Sequence, residues 1–139
     1  MTLREAYIEG LIADLRAAAG IGAMVERSIV KAFTREEDTV LVVHRGAESQ
    51  PDNSRLGVID RTCEILLSIV ARGDAPDQLA DAVLEVAHPL VMAYRAPRII
   101  DVWEGPTDAP KFSDVGGTAG LITVHYFIRY RSGPNSLSS

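Results

Sequence analysis

The stretch from Gly57 to Gly73 most constrains the fold, because apolar and polar residues alternate along it. Its apolar series occupies every second position: Cys63, Ile65, Leu67, Ile69 and Ala71. The positions between them are mainly polar, with Leu66 and Val70 as exceptions. A period of two predicts a β-strand with one buried face. The sixteen steps from Gly57 to Gly73, at ~3.3 Å each, would span roughly 50 Å, about three times the common strand length. A small monomer has little use for such a strand, so the stretch favours a protein that assembles.

Length and charge set further bounds. A chain of 139 residues is expected to form one domain with a core of its own. Its net charge of -5 argues against a nucleic-acid-binding surface. The cations comprise twelve arginines and two lysines. Arginine is enriched at protein interfaces, but a GC-rich genome would produce the same bias, and both explanations stay open.

Cysteine usage and hydropathy bear on the cellular compartment. The single Cys63 excludes an internal disulfide and a thiolate metal cage. No apolar run approaches the ~20 residues of a membrane helix, and the N-terminus lacks a signal-peptide pattern. We therefore expect a protein that stays in a reducing cytoplasm, without a membrane partner.

Two helices and four strands are predicted in order along the chain. Thr2 and Glu5 form a capping box for the first helix, and Pro76 suits the first turn of the second. The helices are predicted from Thr2 to Gly20 and from Pro76 to Ala96. The strands are predicted over Thr39–Arg45, Gly57–Gly73, Arg98–Glu104 and Thr118–Arg131. Met24–Phe33 fits helical and extended patterns alike, and extended structure is favoured.

This order predicts an α+β fold of the form α-β-β-α-β-β. Two hairpins would build a mainly antiparallel four-stranded sheet, with both helices packed on one face. Gly46–Ser54 and Gly105–Gly117 are predicted as polar loops rich in turn formers. Residues 1–131 are expected to form the single domain, and residues 132–139 a flexible tail.

Catalytic motifs are weak or missing. His44, His88 and His125 stand alone in their elements, without the spacing of a metal site. Ser28 and Lys31 match the S-x-x-K pattern of acyl-transfer enzymes, but the companion motifs are missing. The chain also lacks a P-loop, a dinucleotide fingerprint and a G-x-S-x-G elbow. We expect neither an enzyme nor a cofactor.

The order of elements resembles the tail-terminator, or tail-completion, proteins of long-tailed bacteriophages. The resemblance is carried by His44-Arg-Gly-Ala-Glu48, by the strand Arg61–Gly73 with Asp74, and by Ala80-Asp81 with His88. The closing strand Thr123–Arg131, with its two tyrosines before a short polar tail, also looks like that family. The similarity covers nearly the whole chain as an order of elements, and the family has no catalytic signature.

The resemblance implies a structural role in a virion. Members of that family form a hexameric ring at the head-proximal end of the tail tube, where they stop tube polymerisation and provide the surface that joins the head. The implied partners are other copies of the chain, the tail tube protein and the head–tail connector or neck proteins. Genomic DNA would pass through the lumen without sequence-specific binding. The implied location is the virion tail, after assembly in the host cytoplasm.

Candidate contact residues follow from the long hairpin and the two loops. A ring needs two different surfaces that are used repeatedly. The candidates for the subunit interface are Asp60, Arg61, Arg45 and Arg129. The candidates for loop contacts to the tube or neck are Glu48, Gln50, Asp52, Asn53, Asp108, Lys111 and Phe112. Solvated loops without partners are an equal alternative.

The competing functions are a neck or head-completion connector and, more remotely, a small hydrolase that uses Ser28 and Lys31.

Overall fold

A computed structural model describes residues 1–27, 39–113 and 119–139 of the chain. Within these residues it has two helices and six strands. The helices are α1 (Leu3–Ala17) and α2 (Pro76–Met92). The strands are β1 (Met24–Glu26), β2 (Thr39–Glu48), β3 (Ile59–Arg72), β4 (Ile99–Thr107), β5 (Lys111–Ser113) and β6 (Ala119–Ser132).

The strands form one sheet in the order β1-β2-β3-β6-β4, and β5 also pairs with β6. Only the β1–β2 pair among the described strands is parallel. The centre of the sheet is the β3–β6 pair, whose register runs from Ile59 opposite Ser132 to Arg72 opposite Ala119. The predicted antiparallel pairs β2–β3 and β4–β6 are confirmed.

The prediction of four strands is wrong, because the sheet has six. One addition is β1, which confirms extended structure at the start of Met24–Phe33; residues 28–33 lie outside the described residues. The other is β5, which lies inside the predicted loop Gly105–Gly117. Strand β4 also continues through Gly105 to Thr107. A three-residue strand is too short for an alternating pattern to reveal it.

Helix α1 packs on the sheet as its sequence predicts. The Thr2 hydroxyl accepts a hydrogen bond from the Glu5 backbone N–H at 3.3 Å, which caps the first turn. The buried face recurs with helical spacing: Tyr7, Ile8, Leu11, Ile12 and Leu15. These side chains belong to the main hydrophobic core.

The face that helix α2 packs against the sheet matches only in part the face that its large apolar residues predict. The large apolar residues recur with helical spacing as Leu79, Val83, Val86, Leu90 and Tyr94, and this pattern predicts that they form the buried stripe. Val83 and, just beyond the helix, Tyr94 are buried as predicted, but the other buried residues of the helix are Pro76, Ala80, Ala87 and Val91. Alanine lets the helix axis come close to the strands, whereas Leu79 is exposed and Leu90 only packs against the edge of the core. The helix runs through Pro89 and ends at Met92.

The strand faces toward the helices complete the core. Strand β3 contributes Cys63, Ile65, Leu67 and Ile69. Strand β6 contributes Ile122, Val124, Tyr126, Ile128 and Tyr130. The β3 series is the one predicted from alternation, the β6 series alternates in the same way, and both are buried. Burial also raises the pKa of the Cys63 thiol to about 11, which keeps it protonated and unreactive at neutral pH.

The other face of the sheet is mixed. At one end, Val40, Val42 and Val70 form a small buried cluster with Leu121 beside it. The remainder of the face on β3 and β6 is polar or half-exposed, as predicted. This surface can present side chains to a partner.

The C-terminal residues follow β6 directly. Ser132, the last residue of β6, is buried. The Leu137 carbonyl accepts a hydrogen bond from the Leu3 backbone N–H at 2.8 Å, and the Gly133 N–H donates to the Ser139 carbonyl at 2.8 Å. The flexibility of residues 132–139 stays a prediction. Neither helix of the described chain is long and apolar enough to cross a membrane.

Candidate assembly surface

A cluster of ion pairs lies at the end of the sheet where β3 begins and β6 ends. Arg131 donates to Asp60 through Nε at 2.7 Å and through Nη2 at 3.0 Å. Arg129 Nη2 lies 3.5 Å from Asp60 Oδ2 and 3.3 Å from Asp52 Oδ2. The Asp60 side chain is only 11% exposed. The hydrogen bond from Arg131 is the main reason that the pKa of Asp60 is lowered, so Asp60 is ionised at neutral pH.

Asp52 ties the β2–β3 loop to the same cluster. Its backbone N–H donates to the Asp60 carbonyl at 2.8 Å, and the Asp60 N–H returns a bond at 2.9 Å. The Ser54 N–H donates to Asp52 Oδ1 at 3.0 Å. This backbone bond is the largest cause that lowers the pKa of Asp52, with a smaller contribution from Arg129. The base of the loop is therefore fixed in place.

Beyond this base, the loop projects a short tip. Arg55, Leu56 and Gly57 form its turn. Gly57 has a φ of 79°, a conformation that favours glycine. Leu56 is fully exposed. An exposed apolar side chain at the end of a supported loop is available for contact with a partner.

Three of the four predicted interface residues meet at this end of the sheet. Asp60 and Arg129 belong to the cluster, and Arg61 Nε donates to Ser132 Oγ at 2.9 Å. Arg45 does not join them, because it lies opposite Ile65, further along β3. Their role at a subunit contact stays a prediction.

Arg45 instead borders a pocket beside the irregular part of the β2–β3 pairing, between Arg45 and Glu48. The pocket has a volume of about 280 Å³ and is lined by Arg4, Arg45, Gly46, Glu48, Cys63 and Glu64. Glu48 was predicted as a loop residue, but it is the last residue of β2. Its carboxylate accepts a hydrogen bond from the Tyr130 hydroxyl at 2.5 Å and forms an ion pair with Arg4. The side chain is thus already occupied within the chain.

The remaining loop candidates divide into two groups. Gln50 and Asn53 lie in the β2–β3 loop and are exposed. Lys111 and Phe112 were predicted in a loop but lie on β5, where both are exposed. Asp108 lies between β4 and β5. Ser28 and Lys31 lie outside the described residues.

His125 links β3, β6 and the β4–β5 connection. Its Nδ1 lies 3.2 Å from Glu64 Oε1, and its Nε2 lies 2.9 Å from Asp108 Oδ1. Burial opposes protonation, but the hydrogen bonds and charges of Asp108 and Glu64 together outweigh it and raise the pKa of His125. Protonation of the imidazole is therefore favoured, because it places a cation between two carboxylates.

A second histidine on the same face, His44, has its pKa shifted in the opposite direction. His44 Nε2 lies 3.0 Å from Ser68 Oγ, which lies 2.9 Å from Thr123 Oγ1. Burial, followed by the charge of Arg27, lowers the pKa of His44. Sequence reasoning missed both networks because their members come from different strands. In the described residues, no group of three His, Cys, Asp or Glu side chains is arranged to hold a metal ion.

An aromatic pair lies toward the β4 edge of the open face, the face of the sheet that the helices do not cover. Trp103 on β4 stacks on Phe127 on β6, with ring centroids 5.7 Å apart and an interplanar angle of 20°. A side chain at Gly105 would collide with the Phe127 ring, so glycine makes room for the pair. Both aromatic residues are half-buried, and they offer a flat apolar contact area.

On the helix side, a shallow open groove runs along the flank of α2 and reaches β4 and β6 at one part of its length. One cavity of about 410 Å³ is lined by Asp81, Leu84, Glu85, His88 and Pro89. A second of about 210 Å³ shares Leu84 and His88, and adds Glu104, Thr107, Val124 and Tyr126. His88 Nδ1 forms a 2.7 Å hydrogen bond with the Tyr126 hydroxyl, and its Nε2 lies 3.7 Å from Glu104. Burial raises the pKa of Tyr126 to about 12, so it is not an activated nucleophile.

The fold has a counterpart in a virion. No protein-family model and no curated protein sequence matches the chain. Among solved structures, the chain is similar to a chain from the virion of a native gene transfer agent particle, with a TM-score of 0.63. The match covers 88% of this chain and 92% of that chain, at 16% sequence identity. At this identity, the similarity shows a shared fold.

Proposed function

We propose that this protein is a phage tail terminator. In this role it is a structural, non-enzymatic protein of the virion that forms a ring, hexameric as the resemblance implies, on the head-proximal end of the tail tube. The ring stops tube polymerisation and provides the surface that joins the head. The observation that carries the proposal is the fold shared with a virion chain over 88% of the length. The order of elements, which resembles tail terminators, narrows the role within a virion.

The surface of the chain is compatible with a ring. It carries unlike features at separate places: a projecting tip beside the ionic cluster, and an open groove along α2. A ring uses two such unlike surfaces in every contact. The net charge of -5 suits a lumen through which DNA passes without adhering.

The decisive experiment removes the gene and examines the resulting tails by electron microscopy. A terminator predicts overlong tails without heads, because nothing stops tube growth. Tails of normal length that fail to join heads would contradict the proposal and would indicate a neck or head-completion connector. Complementation with the wild-type gene should restore joined particles of normal length.

A biochemical experiment tests the same function in purified components. Added to polymerising tail tube protein, the chain should shorten the tubes and be found at one end of each. Tubes whose length does not depend on the added chain would count against capping. Size-exclusion chromatography with light scattering gives the ring mass, for which six subunits are expected.

A further inference from the structure

The tip of the β2–β3 loop combines an apolar group with a free positive charge. Leu56 is fully exposed, and Arg55 makes no hydrogen bond or ion pair with the described residues. The nearby Asp52 does not neutralise Arg55, because it is engaged by Arg129 and the Ser54 N–H. The base beneath this pair is fixed by the hydrogen bonds of Asp52 with Asp60 and Ser54.

The groove along α2 has the complementary character. The residues that line it include the apolar Leu84, Pro89 and Val124. Its rim carries the exposed carboxylates of Asp81 and Glu85, and neither has a partner among the described residues. Glu104 adds a third carboxylate, 51% exposed. An apolar side chain with an adjacent cation therefore fits the groove.

The tip and the groove of one chain are well separated. The tip lies beyond Ile59, which pairs with Ser132 at the end of β6. The nearest groove residue on β6 is Tyr126, so the strand alone places about 20 Å between the groove and that end. A contact between them has to join two different copies of the chain.

We infer that Arg55 and Leu56 of one copy dock into the α2 groove of the next, Leu56 against Leu84 and Arg55 against Asp81 and Glu85. Because the two surfaces differ, each copy offers a tip to one neighbour and a groove to the other. Such a head-to-tail contact generates a ring when its rotation closes. The inference deepens the proposed function and rests on the proposed ring.

Charge reversal tests the electrostatic half of this contact. Glu85→Arg and Arg55→Glu should each weaken self-association at least about tenfold, measured by analytical ultracentrifugation. Combined in one chain, the two changes restore opposite charges and should recover much of the loss. Glu9→Arg, an exposed reversal on α1, is the matched control and should assemble as wild type. A double variant no better than the worse single variant would overturn the pairing.

A disulfide test locates the contact directly. Leu56→Cys combined with Leu84→Cys should form, on oxidation, a ladder of covalent oligomers that ends at the ring size. Leu56→Cys with Leu79→Cys is the control, because Leu79 is exposed on the same helix but outside the groove. The native Cys63 does not interfere, since it is buried and its pKa is raised to about 11. Equal ladders from both pairs would overturn the inference.

The outcomes separate this inference from the proposed function. Rings that assemble and cap tubes, yet give no ladder with the groove pair, would overturn the tip–groove contact and leave the terminator function intact. A chain that stays monomeric and gives no ladder, also with tail tube protein present, would overturn the contact and the ring together. A ladder in a protein without effect on tube length would support the contact and contradict the terminator function.

Discussion

The guanidinium of Arg131 donates two hydrogen bonds to the carboxylate of Asp60, at 2.7 Å from Nε and 3.0 Å from Nη2. Asp60 is the second residue of β3 and Arg131 is the second-last residue of β6, directly opposite it, and the pair adjoins the base of the projecting loop. Asp60 therefore contributes both to the pairing of β3 with β6 and to the position of the loop tip.

Asp60→Asn should lower the melting temperature at pH 7, because it removes the negative charge that Arg131 binds. The pKa of Asp60 is lowered in the folded protein, so its stabilising contribution is present above the unfolded value near ~4 and is lost as pH falls through the folded value. The difference from wild type should therefore shrink below about pH 4. Thermal unfolding at several pH values measures this. Asp74→Asn, at an exposed position, is the control, and an equal effect there would contradict the assignment.

Two leucines give a clean contrast between core and surface. Leu67 is fully buried on β3, whereas Leu56 is fully exposed at the tip. Leu67→Ala should cost about 2–5 kcal/mol of folding free energy, since it removes buried methyl groups and leaves a cavity. Leu56→Ala should change stability by less than about 0.5 kcal/mol. Urea unfolding of dilute protein measures both, and a large loss at Leu56 would show that the tip packs within its own chain.

The long strands were predictable because their two faces meet different surroundings. One face of β3 and β6 lies under the helices and the other is half-exposed. Alternation from Cys63 to Ile69 therefore predicted which side chains are buried. The face of α2 was not predictable in this way. There the small residues Ala80 and Ala87 face the sheet, because close approach of helix and strands excludes larger side chains.

The candidate site was predictable only in part. The interface prediction for Asp60 and Arg129 named two members of one cluster, but their partner Arg131 was found only from the β3–β6 register. The bonds of His125 to Glu64 and Asp108 join residues far apart in sequence, and no spacing rule relates them. Short strand β5 escaped notice because three residues cannot display a period.

The two histidines of the open face should titrate on opposite sides of the ordinary value near ~6.5. His125, between two carboxylates, should titrate above it, and His44 below it. NMR titration of the imidazole Cε1–H signals measures both, with His125→Gln and His44→Gln to assign them. Identical titration midpoints would contradict the networks described for this face.

The raised pKa of His125 also gives a stability prediction with a definite sign. Its contribution is fully present below the unfolded value near ~6.5 and is lost as pH rises through the higher folded value. The loss caused by His125→Gln should therefore be greater at pH 6 than at pH 9, as measured by urea unfolding. A loss that does not change with pH would mean that His125 acts only through packing.

Gly120 tests how closely α2 approaches the sheet. A Cβ at this position would lie 2.7 Å from Cβ and 3.2 Å from Cγ of Pro76, the first residue of α2. The rigid proline ring cannot turn away, so Gly120→Ala should destabilise the fold by about 1–3 kcal/mol. This cost exceeds the gain of about 0.4–1 kcal/mol that a glycine-to-alanine change obtains from the unfolded chain. Gly133→Ala is the matched control, because its Cβ would lie at an ordinary 3.5 Å from the Ser139 carbonyl oxygen. If urea unfolding shows that both variants are as stable as wild type, α2 has enough freedom to shift away from β6, and the groove that it borders has no fixed width.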